Sequence, residues 1–319
     1  MDSEIERVDH WQPYICKATT GTVYLSTTLA LFVSTAAQKE VGEELLIPSL
    51  VFPFLTSLQS LLGCLADVVG KHPPITQGYK GRSICEVDYL DNAAGLAHHG
   101  RAGFAVGPAF LKESLTSFQT PAPFIHHCFG YEATRNFIFP DDFTPPFKYA
   151  CLEGEDCWGW LNQGFVNISA CLLLSDAPFG VAFNYYGQSS HQFRASMEAH
   201  VEQYIKGAGS ITFEDAFLHE RLPWAKHQSL DNLYSGILSI LFRECGGVRF
   251  LKGFFAALPL LRPRCPASVK DFVLASENLY LACSIGAGKD LYDFFKGLQF
   301  PIDKAREHCG PLLVASTLA

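Results

Sequence analysis

The chain has 319 residues, 48% hydrophobic and only 18% charged, with a net charge of −8 and no run of Lys or Arg. This composition excludes a disordered or low-complexity chain and argues against a nucleic-acid partner, whose surface would need clustered positive charge. Eleven cysteines, an odd number without finger-like spacing, read as reduced and mostly buried thiols. The acidic start Met1-Asp2-Ser3-Glu4 is unlike a secretory signal, so the expected location is cytoplasmic.

Residues 1–78 are expected to form an N-terminal, mostly helical region. The threonine-rich stretch before Leu29-Ala30-Leu31-Phe32-Val33 reads either as a strand followed by a helix or as one helix, and periodicity does not choose between them. Leu45 to Val69 is the most apolar run and is long enough to span a membrane. Pro48, Pro53, Gln59 and Asp67 interrupt it, which favours a buried helix and no membrane span, with Gly70 as its stop. Lys71 to Gly81 carries Pro73, Pro74 and Gly78 and is a loop.

Residues 79–187 are the expected site-bearing lobe. Ser83 to Leu90 alternates as a strand does. The glycines between Gly95 and Gly107 suit a backbone that another group must approach closely, so an edge strand is expected over residues 96–106, along a cleft. Pro108 begins a helix. The next helix is expected from Phe124 to Phe139, closed by Pro140, Pro145 and Pro146. Trp158 to Leu174 is apolar nearly all round, which marks a central helix packed on the preceding one. Residues 188–319 read as a helical lobe with helices near 190–206, 211–221, 229–245, 247–257, 268–285 and 288–296.

The chemistry concentrates between Phe124 and Cys171. A zinc peptidase helix reads His-Glu-x-x-His, because residues four apart share a helix face and bring two imidazoles to one metal. The frame here reads Tyr131-Glu132-Ala133-Thr134-Arg135, followed by Asn136 and preceded by His126-His127-Cys128. With these pieces in order, residues 80 to 305 resemble the gluzincin-type zinc metallopeptidases, especially the enhancin-like and mucin-degrading branch. The resemblance rests on the glycine-rich strand ahead of the Glu132 helix, on Leu233-Tyr234 through Gly246, on Phe250 to Pro259, and most specifically on Leu279-Tyr280-Leu281-Ala282 through Phe294-Phe295.

That resemblance implies an α+β fold: a zincin-like lobe with a small mixed sheet, then a C-terminal α-helical lobe. It sets Glu132 at the general base and Asn136 at the asparagine after the second histidine. It sets Tyr131 and Arg135 where the two zinc histidines stand, and Gln163 where a ligand glutamate stands. All three ligand positions depart from the pattern, and arginine neither deprotonates nor tolerates a cation. The expectation is therefore no metal and no other cofactor. The catalytic candidates are Glu132, Arg135, Tyr131, His127 and His99. Glu132 would move a proton, Arg135 would hold a carboxylate or enolate oxygen through paired hydrogen bonds, and Tyr131 would offer a phenolic proton. His98, Gln163, Asn136, Trp160, Tyr185, His219 and Tyr234 are the expected substrate contacts, with Glu220, Arg221, Trp224 and His227 along the same wall.

Plainer roles stand beside these: Arg135 as the counter-ion of Glu132, Tyr131 as a core tyrosine, Cys128 and Cys157 as inert thiols. Three functions from different classes follow. The leading one is a metal-independent acid/base enzyme of isomerase, lyase or cyclase type acting on an apolar small molecule. The second is a non-catalytic relative that binds a peptide, glycan or protein in the old cleft. The third is a metallopeptidase with unusual ligands, drawn from His98, His99, His126 and His127 with Glu132. The sequence leaves the oligomeric state open.

Overall fold

The computed structural model describes residues 4–147, 158–176, 180–207, 210–219, 230–267 and 271–318. The strands are β1 (Glu4–Val8), β2 (Gly21–Leu25), β3 (Leu29–Ser34), β4 (Ser83–Val87), β5 (Gly95–Ala97), β6 (Phe104–Val106), β7 (Phe124–His126), β8 (Ala182–Tyr185) and β9 (Gln188–Ser189). The helices are α1 (Thr35–Val41), α2 (Pro48–Val69), α3 (Pro108–Ser117), α4 (His127–Arg135), α5 (Pro140–Phe147), α6 (Trp158–Asp176), α7 (Ser190–Lys206), α8 (Leu230–Glu244), α9 (Val248–Leu261), α10 (Phe272–Ala287), α11 (Tyr292–Gly297) and α12 (Arg306–Leu318). The fold is α+β.

The first compact unit holds residues 1–66, 71–138 and 169–191. Its main sheet is mixed, in the order β1-β2-β3-β4-β6-β5. β3, β4 and β6 run parallel to one another, and β1–β2, β2–β3 and β5–β6 pair antiparallel. β2 and β3 are buried at every position, as near-continuous apolar strands in the middle of a sheet are. This corrects the reading of residues 1–78 as mostly helical. Three of the six strands come from that region, and the expected boundary at residue 78 falls inside one unit. Whether Leu29–Val33 became strand or helix was settled by a distant partner, since Leu29 pairs with Ser83 and Val33 with Val87.

Other elements lie where their punctuation put them. α2 runs to Val69 and stops at Gly70, whose φ is +81°. α3 begins on Pro108. α2 is the one described helix long and apolar enough to cross a membrane, and half of its most apolar window is buried inside the fold. Two readings need correction. Residues 96–106 form not one strand but two short ones, β5 and β6, paired antiparallel around a turn. Pro140 does not end a helix but opens α5, which also contains Pro145 and Pro146.

The second unit holds residues 67–70, 139–168 and 192–319 and is helical wherever it is described in regular form. α10 is buried along nearly its whole length. Phe143, Phe147, Phe254 and Phe255 form an aromatic cluster with ring centroids 5.5–6.3 Å apart.

Candidate functional site

The site is set by where α4 starts. Phe124–His126 is not helical as expected: it pairs in parallel with Ala182–Asn184 as β7 against β8. His126 then takes an extended conformation (φ −62°, ψ 140°), and its Nδ1 accepts the amide of Cys128 at 3.1 Å, capping the helix. An imidazole lone pair thus satisfies one of the unpaired amides at a helix start, the task more often given to Ser or Asp. α4 is held by close packing at Gly130, where a Cβ would come within 2.3 Å of the Ala170 Cβ on α6.

α4 lies beside the edge strand β5, and Glu132 is aimed at it. A Cβ added to Gly95 would meet Glu132 Cγ at 2.6 Å and Oε1 at 2.9 Å. A glycine in the edge strand is therefore what lets the glutamate lie against the backbone. Glu132 is only 4% exposed. Burial penalises its charged form and raises its pKa to about 7, against the opposing pull of Arg135.

Arg135 sits one turn further on. Its Nη1 donates to Glu132 Oε2 at 3.3 Å, and its Nε donates to His99 Nε2 at 3.4 Å. Both bonds are long for a charged donor, and the Arg135 side chain remains 29% exposed. Accepting at Nε2 fixes His99 as a neutral imidazole carrying its proton on Nδ1. Burial, then Arg135, then His98 lower its pKa to about 4. One turn before Glu132, the Cys128 thiol donates to the Ala94 carbonyl at 3.4 Å. Burial and the nearby Glu132 push its pKa well up, so it stays protonated. Glu132, Arg135 and His99 are thus brought together by α4 and the turn after β5.

The other candidates in this unit do different work. Asn136 is buried and bonded to backbone: Nδ2 donates to the carbonyls of His98 (3.1 Å) and Gly103 (2.9 Å), and Oδ1 accepts from the Gly103 amide (3.1 Å). It clamps the turn that carries His99, and both of its N–H donors are committed there. His98 is edge-on to Tyr14 at 5.5 Å. His127, Tyr131 and Tyr185 gather in a separate aromatic cluster: the His127 ring lies 5.6 Å from Tyr131, 4.9 Å from Tyr185 and 5.4 Å from Phe183. His126 is fully buried, stacked on Phe110 at 4.6 Å with Tyr186 edge-on at 5.1 Å, and burial lowers its pKa to about 4. The four histidines are therefore dispersed, and no group of three His, Cys, Asp or Glu side chains among the described residues is placed to hold a metal.

The remaining candidates belong to the second unit. Tyr234, an expected substrate contact, is 2% exposed, and its ring lies 5.4 Å from the Phe217 ring. Gln163 is on the exposed face of α6. His219 is half-buried and closes a π-helical turn over Glu214–Leu218. Trp160 lies in α6, with its side chain outside the described set. Cys157, Glu220, Arg221, Trp224 and His227 are outside the described residues. A hollow of about 490 Å³ is lined by residues of α3, the following loop and β7, among them Lys112, Glu113 and Phe124, and by none of the candidates.

One buried acid went unremarked in the sequence. Glu86, in the middle of β4, is fully buried. It accepts from Trp11 Nε1 (2.8 Å) and from the amides of Tyr14 (2.7 Å), Ile15 (2.7 Å) and Cys16 (2.8 Å). The available signal was a charged residue between Cys85 and Val87 in an otherwise apolar strand.

No protein-family profile matches the sequence, and no curated protein matches it. Solved structures do match in fold. Two crystal structures of a functionally unknown conserved protein from Bacillus anthracis str. Ames, one of them a mutant, superpose with TM-scores of 0.54 and 0.50 at 14% identity. Each match covers 89% of this chain and 50% of the other, so the chain spans about half the length of the solved structures it resembles. Likeness at this identity speaks to the fold alone.

Proposed function

We propose that the first unit is a zincin-like lobe whose metal site has been lost, and that it acts as a metal-independent acid/base catalyst on a small molecule. The observation that carries this reading is Glu132, a carboxyl held near neutrality by burial and lying against the Gly95 backbone beside a half-exposed guanidinium. A group with a pKa near the working pH is the most effective general acid or base, and perturbed carboxyls cluster at sites of function. Support for the zincin-like reading comes from the antiparallel edge strand β5 beside the helix that carries Glu132.

The residues do not fit a zinc ion. Arg135, at the second histidine position of the frame, has no lone pair to give, and its guanidinium reaches Glu132 at 3.3 Å. No step is therefore drawn through a metal. In the metal's stead Arg135 supplies a fixed positive charge. It orients the ligand and stabilises negative charge developing on an oxygen, while Glu132 takes or gives the proton. His99, neutral and accepting from Arg135 Nε, positions the guanidinium.

The test is turnover. Wild type and Glu132→Gln are incubated with a cell extract and followed by mass spectrometry. A metabolite consumed by wild type and spared by the variant is the expected result, because the amide keeps the shape and removes the base. Arg135→Lys should fail as well, since a point charge does not replace the planar fork. If nothing is consumed and one ligand co-purifies equally with both proteins, the catalytic reading is wrong and the lobe is a binding module.

A further inference from the structure

One guanidinium serves Glu132, and that arithmetic constrains how a ligand can bind. Arg135 is the only cation within ion-pair distance of Glu132 among the described residues. It makes a single long bond to the carboxylate, and its Nη2 has no partner among them. Its side chain is 29% exposed while that of Glu132 is 5% exposed, so a ligand reaches the guanidinium before it reaches the acid. An incoming carboxylate seeks the paired, parallel geometry that arginine offers best, and it competes for the Nη1 now turned to Glu132.

We infer that the site takes a carboxylate-bearing ligand, which displaces Glu132 from Arg135 and so causes Glu132 to take up a proton. The inference rests on the reading of Glu132 and Arg135 as the acting pair. The exchange balances simply. The ligand carboxylate and the ionised Glu132 compete for one guanidinium. The ligand wins the hydrogen bonds, and a buried carboxylate stripped of its counter-ion is neutralised by one proton from solvent, because an unpaired buried charge is far costlier than a neutral acid. No carbon bond forms or breaks. The ligand thereby arms the general acid that acts on it, and an empty site keeps Glu132 paired with Arg135.

The surroundings leave Glu132 as the group that answers. On α4, Cys128 and Arg135 face it, and the Cys128 thiol is held protonated. From β4, Cys85 lies near Cys128 and is likewise pushed up. The turn after β5 brings His99, neutral on Arg135, with His98 beside it. β6 contributes only Phe104, Ala105 and Val106. From β7 and β8, His126 is a helix cap and Tyr185 lies edge-on to the His127 ring.

The experiment is calorimetric titration with benzoate and with benzamide, its neutral isostere, in pairs of buffers that differ in ionisation heat. Near pH 8, where Glu132 is ionised in the empty site, benzoate binding should take up close to one proton, and near pH 5.5 almost none. Benzoate affinity should fall about tenfold per pH unit above pH 7, and benzamide should show neither effect. Glu132→Gln should bind benzoate with a flat profile and no proton uptake, and more tightly than wild type near pH 8. Arg135→Gln should lose the preference for benzoate over benzamide. Two results would overturn the inference: benzoate bound by wild type without proton uptake near pH 8, or benzoate bound no better than benzamide up to the solubility limit. The wild-type curves alone decide, so a variant that fails to fold does not shelter the idea. The titration needs no turnover, so its failure leaves the metabolite test standing, and failure of that test leaves the proton count measurable.

Discussion

Two glutamates are buried in the first unit, and they are opposites. Glu86 is fully buried and meets four fixed N–H donors: the Trp11 indole and the amides of Tyr14, Ile15 and Cys16. Glu132 is almost as deep, yet it meets one side-chain cation at 3.3 Å. Depth is nearly the same; what differs is how completely each acid is satisfied. Donors locked in the Trp11–Cys16 segment satisfy the Glu86 carboxyl and are held by it, so Glu86 fastens that segment onto β4. A lone, half-exposed arginine leaves Glu132 poised between charged and neutral forms, which is the condition for proton transfer rather than for architecture.

The largest effect should come from removing the better-satisfied acid. Glu86→Leu strands four donors at about 1–3 kcal/mol each when buried, so a loss of more than about 4 kcal/mol in urea unfolding is expected, and possession of near-wild-type stability would break the comparison. Glu86→Gln keeps one acceptor oxygen and should lose less.

Glu132→Gln should do the reverse. The folded pKa of about 7 lies above the ordinary 4.5, so the folded chain holds the proton more tightly than the unfolded one. The stability this contributes is present below about pH 4.5 and is lost as pH rises to 7, by roughly 3 kcal/mol. The variant should remove that slope and be more stable than wild type near pH 8. Arg135, left without its acid, is solvated enough to blunt the usual penalty of a broken buried pair. Chemical denaturation across pH reads this directly, and a wild-type profile that is flat between about pH 4.5 and 7 would show that Glu132 is not poised.

The same reasoning extends to an imidazole. His126 is fixed as a helix cap, with its folded pKa near 4 below the ordinary 6.5. It contributes stability above pH 6.5 that is lost as pH falls through 4. The Glu113 carboxylate at 3.7 Å offers the imidazolium a counter-charge, which limits the loss to about 2 kcal/mol. His126→Asn keeps a capping oxygen and removes the titration, so its unfolding free energy should change less than that of wild type across this range. The smallest effect is expected from Gly95→Ala. Its Cβ overlaps Glu132 Cγ at 2.6 Å, so stability should fall by about 1–2 kcal/mol. The same change should displace Glu132 and lower any turnover, which the metabolite assay reads.

Much of the local pattern was legible in advance. The i, i+3 spacing of Glu132 and Arg135 put both on one helix face, whatever surrounded them. The glycines from Gly95 onward announced a close approach, and Glu132 makes it. Asn136 bonds the Gly103 backbone and the His98 carbonyl, and the Tyr234 ring packs on that of Phe217, partners many residues away in the chain. Sequence spacing carries no trace of such partners. Nothing near His126 reveals that Asn184 of β8, 58 residues on (184 − 126), pairs with it and holds it extended rather than helical.

The sequence by itself determined where helices stop and start, through Gly70 and Pro108, and which acid and cation stand together on α4, because these depend on neighbours within a turn or two of chain. Tertiary structure alone decided that Leu29–Val33 is a strand, by pairing it with Ser83–Val87. It also decided which of two buried acids meets four N–H donors and which meets one side-chain cation. Satisfaction of a buried acid depends on the donors within a few ångströms, and those are brought to Glu86 from residues 11–16 and to Glu132 from its own helix.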